Sequence, residues 1–145
     1  MSGETIVVWG QMKALESAGA QVANNSLVKA TTGYDQAADG LGYPDAQFVL
    51  NVTFSAAPTE NTTLSLYARE LLPDGVNNTD EPETTRAGRP IGSFIVNNVT
   101  SKQTLTLNAY DLPPKADYYL HNNGTGQAVA AGWDLKIKPR SYKAA

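Results

Sequence analysis

From Gln47 the chain alternates apolar and polar side chains with a period of two. In QFVLNVTF, Phe48, Leu50, Val52 and Phe54 share one face, with Gln47, Asn51 and Thr53 opposite. That is the pattern of a strand with one face on a core. TTLSLYARELL repeats it with Leu64, Leu66 and Ala68, and the two stretches are predicted to pair as a hairpin across SAAPTEN. IGSFIVNNV and KQTLTLNAYD follow as strands, the second alternating Leu105, Leu107 and Ala109 against Thr104, Thr106 and Asn108. LPPKA then turns the chain, because proline cannot donate to a ladder. DYYLHNNGTGQAVAAGWDLKIK reads as a strand, a turn at Asn123-Gly124, and a strand carrying Trp133, Leu135 and Ile137 inward. Asn-Gly is the preferred pair where both turn residues need positive φ.

Six or more short strands at this spacing predict an all-β fold, a β-sandwich or jelly roll. The 145 residues make one domain, with the sandwich over 46–145. Residues 1–45 fit the alternation poorly and are expected to form an arm or irregular layer over the sandwich. Within them QMKALESAGA is the one candidate helix, with Met12, Leu15 and Glu16 at roughly helical spacing and Gly19 to end it. The apolar Val7, Trp9 and Leu27 of this arm need a surface to lie against, either the sandwich or a neighbouring subunit.

Charge changes the picture in two ways. A formal net charge of -3 lacks the overall positive charge that phosphate-backbone binding requires, so nucleic acid is not an expected partner. The basic residues that exist cluster late: Lys136, Lys138, Arg140 and Lys143 are four of eleven. The polar stretch Pro73–Pro90 holds Arg86 and Arg89 among four acids, and a loop of that length in one domain is usually functional or mobile. Val7, Trp9, Leu27, Arg86, Arg89, Lys136, Lys138 and Arg140 are therefore the expected interface residues. The apolar run TIVVW is too short to span a bilayer or to serve as a signal-peptide core. Neither a membrane nor export by the usual route is expected, and synthesis falls in the cytoplasm.

Catalytic chemistry finds little support. There is no cysteine, and His121 is the one histidine, so a hydrolase would have to use it as its base. Gly124 and Gly126 suggest a dinucleotide fingerprint, but Val129 stands where the third glycine belongs and a strand follows in place of a helix. The loop acids Asp74, Asp80, Glu81 and Glu83 match no EF-hand spacing. No catalytic, cofactor or metal residue is assigned, and an enzyme is not expected.

The stretch Arg89–Tyr142, a little over one third of the chain, resembles small virion proteins of tailed bacteriophages that decorate, or cement, the capsid exterior. The resemblance rests on the IGSF strand, the LPP turn, the NGTGQ hairpin and the GW strand running into a basic tail. WGQ at Trp9–Gln11 and ANNSLV at Ala23–Val28 also suit such proteins. The resemblance implies a jelly-roll-like sandwich, often trimeric, that sits on capsid symmetry axes and bridges neighbouring capsomers, with the major capsid protein as partner and the virion surface as location. Two alternatives stand beside it: a tail- or fibre-associated module binding host-surface carbohydrate through Tyr34, Tyr43, Tyr118 and Tyr119, and a small hydrolase built on His121.

Overall fold

Two sheets of opposed alternation meet with their apolar faces together. The computed structural model describes residues 3–76, 78–86 and 88–144. Its elements are β1 (Thr5–Trp9), β2 (Lys13–Glu16), β3 (Leu27–Lys29), β4 (Tyr34–Asp35), the short helix α1 (Gln36–Asp39), β5 (Asp45–Val52), β6 (Thr63–Glu70), β7 (Arg89–Ile95), β8 (Gln103–Ala109), β9 (Lys115–Asn123) and β10 (Asp134–Ala144). The first sheet runs β1-β10-β5-β8, with β2 also on β10; the second runs β3-β9-β6-β7, with β4 also on β9. Every pairing is antiparallel. This is an all-β sandwich, as the alternation predicts.

The core-facing residues are those the period of two selects. Phe48, Leu50 and Val52 of β5 and Leu135 and Ile137 of β10 meet Leu64 and Leu66 of β6 and Tyr118 and Leu120 of β9, all at 0–1% exposure. Phe48 and Tyr118 touch across the gap, with ring centroids 5.2 Å apart. Burial drives the Tyr118 hydroxyl well above its ordinary pKa and pushes Tyr34, which also sits near Asp39 and Asp35, up to about 12. Both phenols stay neutral at any ordinary pH.

Strand existence follows from local pattern, but partner choice does not. β5 and β6 lie in different sheets: β5 pairs with β10 and β8, and β6 with β9 and β7, so the predicted hairpin does not form. Nor do β9 and β10 form one. The chain crosses between sheets there, and Val129 bridges Val22 and Phe54 on the way. The glycines still serve geometry, with φ of 74° at Gly124 and 85° at Gly126. Thr125 and Val129 are buried along this crossing, so the polar groups beside them need partners. Asn122, fully buried, supplies them: its Nδ2 donates to the carbonyls of Gln127 (2.7 Å) and Val22 (3.2 Å), and its Oδ1 accepts from the Thr125 hydroxyl (2.7 Å).

The first third of the chain enters both sheets. The arm or irregular layer expected over residues 1–45 instead contributes β1 and β2 to one sheet and β3 and β4 to the other, and it buries Leu15, Val22, Ala30 and Tyr34 in the core. The candidate helix at Gln11–Ala20 is the strand β2 with its flanks. Leu15 faces the core, and Glu16 is buried because both its carboxylate oxygens accept from the Thr31 hydroxyl, at 2.8 and 2.9 Å. Gly19 ends no helix. It lies flat on the Trp133 indole, whose Nε1 donates to the Ala20 carbonyl at 2.7 Å, and a Cβ added there would overlap the ring.

Two stability predictions follow from these contacts. Gly19→Ala is expected to cost about 1–3 kcal/mol in urea unfolding, because the indole is pinned by its hydrogen bond and cannot retreat; an unchanged midpoint would show that the ring is not fixed. The second concerns Lys13, whose Nζ donates to Asp39 Oδ2 at 2.6 Å while the Asp35 amide reaches the same oxygen at 2.9 Å. Burial alone would raise the Asp39 pKa, but these two hydrogen bonds and the Lys13 charge outweigh it and hold the carboxyl below its ordinary value. A depressed folded pKa stabilises above the unfolded pKa and is lost as pH falls through the folded one. Lys13→Met should therefore lower Tm at pH 7, by a pair worth about 0.5–1 kcal/mol. The gap from wild type should close as pH drops below about 4; a gap constant down to pH 2 would contradict this.

Candidate attachment surface

β10 is longer than the sheet that holds it. β5 pairs with it over Asp134–Arg140 and stops at Asp45, opposite Arg140. On the other edge β2 covers Leu135–Ile137 and β1 covers Arg140–Ala144. The last four pairs, from Val8↔Ser141 to Thr5↔Ala144, therefore form a two-stranded ribbon that runs past β5. A lone two-stranded ribbon gains little stability by itself.

Strand parity decides what this part of the sheet shows outward. Leu135 and Ile137 point to the core, so Lys136, Lys138, Arg140 and Tyr142 point away from it. Cross-strand partners share a face, which places Trp9 beside Arg140 and Val7 beside Tyr142. Lys138 Nζ lies 5.5 Å from the centre of the Trp9 ring, and the Arg140 guanidinium sits 5.4 Å from that ring and 5.1 Å from Tyr110. Such cation–π contacts are worth about 0.5–1 kcal/mol at an exposed site and about 2 kcal/mol where the cation is desolvated. They hold an aromatic and basic surface in place: Val7 is 45%, Trp9 43%, Tyr142 50% and Tyr110 59% exposed.

Arg140 itself is buried to 8% exposure between the two rings. Among the described residues its Nε and Nη2 have no acceptor. Asp45 stands opposite it in the ladder, but one carboxylate oxygen of Asp45 takes the Asp111 amide at 2.9 Å, and no ion pair to Arg140 forms.

Five of the eight residues expected at an interface thus share one face of the first sheet: Val7, Trp9, Lys136, Lys138 and Arg140. The other three lie apart from it. Leu27 is on β3, in the second sheet, opposite His121. Arg86 turns back into its own loop, donating to the Glu81 carbonyl at 3.2 Å and lying 3.8 Å from Glu83 and 4.0 Å from Asp80. Arg89 pairs with Glu70 at 2.8 Å and donates to the Asp111 carbonyl at 2.6 Å. Arg86 and Arg89 border an open depression of about 230 Å³ with Glu70 and Asp80. Two contributors to the surface went unrecognised in the sequence. Tyr142 continues the alternation of Lys138 and Arg140, a usable signal; Tyr110 follows the end of β8 and reaches Arg140 only through the fold.

The residues proposed for other chemistry lie elsewhere. His121 is on the outer face of the second sheet, beside Ser65 and Leu27 in the ladders, with the Tyr67 ring edge-on at 6.0 Å. Of the four tyrosines named as carbohydrate contacts, Tyr34, Tyr118 and Tyr119 are buried to 5% exposure or less; Tyr43 is half-buried. Burial, with Glu81 and Asp117 nearby, raises the Tyr119 pKa. No group of three or more acidic or histidine side chains among the described residues could hold a metal ion.

No protein-family model matches this chain, and no curated protein matches it.

Proposed function

We propose that the protein is a structural virion component that decorates a bacteriophage capsid and stabilises it by bridging neighbouring capsomers. The observation that carries this reading is the outward surface of the β1–β10 ribbon, where Val7, Trp9, Tyr110 and Tyr142 expose apolar area around Lys138 and Arg140. Aromatic residues and arginine grouped in this way have the composition of interface anchors. The sheet orders β1-β10-β5-β8 and β3-β9-β6-β7 fit a jelly roll, the architecture the resemblance to capsid cement proteins implies. In this reading the partner is the major capsid protein, the protein acts as a homotrimer on the capsid exterior, and repetition over the shell multiplies a modest stabilisation at each site.

The exposed Trp9, Tyr110 and Tyr142 rings favour one alternative, a tail- or fibre-associated module that stacks host-surface sugars on the same face.

The test uses shells of the encoding virus prepared without this protein. Wild type is expected to co-sediment with them and to raise their heat resistance. Trp9→Ala combined with Arg140→Ala should weaken binding roughly tenfold or more while leaving the sandwich folded. Absence of binding to shells, together with binding to host glycans, would replace this reading with the carbohydrate one.

A further inference from the structure

β1 is an edge strand without the usual protection. Natural edges are blunted by charge, proline, bulges or shortness. β3 is three residues long and carries Lys29, and β7 holds Pro90 and a register shift beside it. On β8 the exposed positions are the polar Thr104, Thr106 and Asn108. β1 reads TIVVW, with no charge and no proline, and its side chains lie largely outside the core.

The ladder shows which backbone groups are free. The Gly10 amide donates to the Pro139 carbonyl at 2.8 Å, one step beyond the Trp9↔Arg140 pair. Antiparallel ladders alternate inward and outward residues, so Val8 and Ile6 face β10 as Gly10 does. Thr5, Val7 and Trp9 therefore turn their N–H and C=O groups to the open side.

Charge indicates what fits there. Residues 4–9 and 138–144 carry Glu4 against Lys138, Arg140 and Lys143, a local net charge of 3 − 1 = +2. A second copy of this chain would bring a like-charged ribbon alongside, whereas a segment with acidic side chains supplies the opposite charge.

We infer that β1 is a strand-addition site: an extended segment of a partner chain bearing acidic side chains pairs with the outward backbone groups of Thr5, Val7 and Trp9 alongside the basic strip of β10. Strand addition of this kind takes affinity from main-chain hydrogen bonds and specificity from the side chains flanking them. The inference rests on the capsid reading, which makes the partner segment part of the shell protein.

The experiment measures binding of full-length variants to the same shells at low and physiological salt. Val7→Pro removes one outward N–H and no inward donor, a position where edge strands tolerate proline; Val7→Ala removes the side chain and keeps the N–H. The expected result is a loss roughly tenfold or more greater for Val7→Pro than for Val7→Ala, with both folded. Lys138→Glu with Lys143→Glu, which spares the ladder altogether, should also weaken binding by roughly tenfold at low salt, and by less as salt rises. Should Val7→Pro fail to fold, the charge-reversed variant decides: unchanged or tighter binding overturns the inference. Equal binding of folded Val7→Pro and Val7→Ala overturns it as well, while leaving the capsid reading intact. Wild-type dimers in light scattering that Val7→Pro dissociates would assign the edge to a second copy instead. No binding of wild type to shells removes the capsid reading and the inference with it.

Discussion

The ladder on β10 is the constraint from which the rest of the molecule follows. Three strands are hydrogen bonded to it, β5 along one edge and β2 and β1 in line along the other. Its period of two sends Leu135 and Ile137 into the core and Lys136, Lys138 and Arg140 away from it. A shift of one residue would exchange those faces, burying lysines and exposing the core. The register is therefore fixed by burial, and the basic strip is fixed with it. Because β10 outruns β5, the same register leaves its last turnless stretch paired with β1 alone, and that ribbon is where apolar side chains meet solvent.

Local alternation was legible wherever a strand was long enough to show it. Phe48 to Phe54, Leu64 to Ala68, Leu105 to Ala109 and Trp133 to Ile137 all lie on the sides their spacing predicts. Which sheet each strand joins was not legible, because pairing depends on contacts far apart in sequence. Asn123-Gly124 looks like a two-residue hairpin turn, yet the chain there passes from one sheet to the other around the buried Asn122 side chain. The first third of the chain hid its strands because they are two to five residues long and interrupted by glycine. At Leu15 and Glu16 the apparent helical spacing arose from a core leucine and a buried, hydrogen-bonded carboxylate in adjacent strand positions.

The candidate attachment surface was legible in part for the same reason. Lys136, Lys138 and Arg140 announce themselves by alternation and charge, and Val7 and Trp9 by apolar side chains outside the core pattern. Their meeting on one face is a product of register between residues more than 130 positions apart. Tyr110 completes the stack on Arg140 from a third strand's end, and no pattern within β8 marks it. Arg86 and Arg89 show the converse: charge without placement misleads, since both are engaged by Glu81, Glu83, Glu70 or Asp111 within their own region. On this account a rigid sandwich supplies the position of the ribbon, and the ribbon supplies contacts that gain their effect by repetition over a lattice.

We propose that the β1–β10 ribbon is the surface that meets the shell. Amide hydrogen exchange of the wild-type protein, free and bound to shells, tests it most directly. In the free protein the outward amides of Thr5, Val7 and Trp9 should exchange rapidly. In the bound protein they should slow by roughly tenfold or more, with the amides of β3 and β7 unchanged. Bound protein whose β1 amides exchange as in the free state, with protection arising on the second sheet instead, would contradict the account.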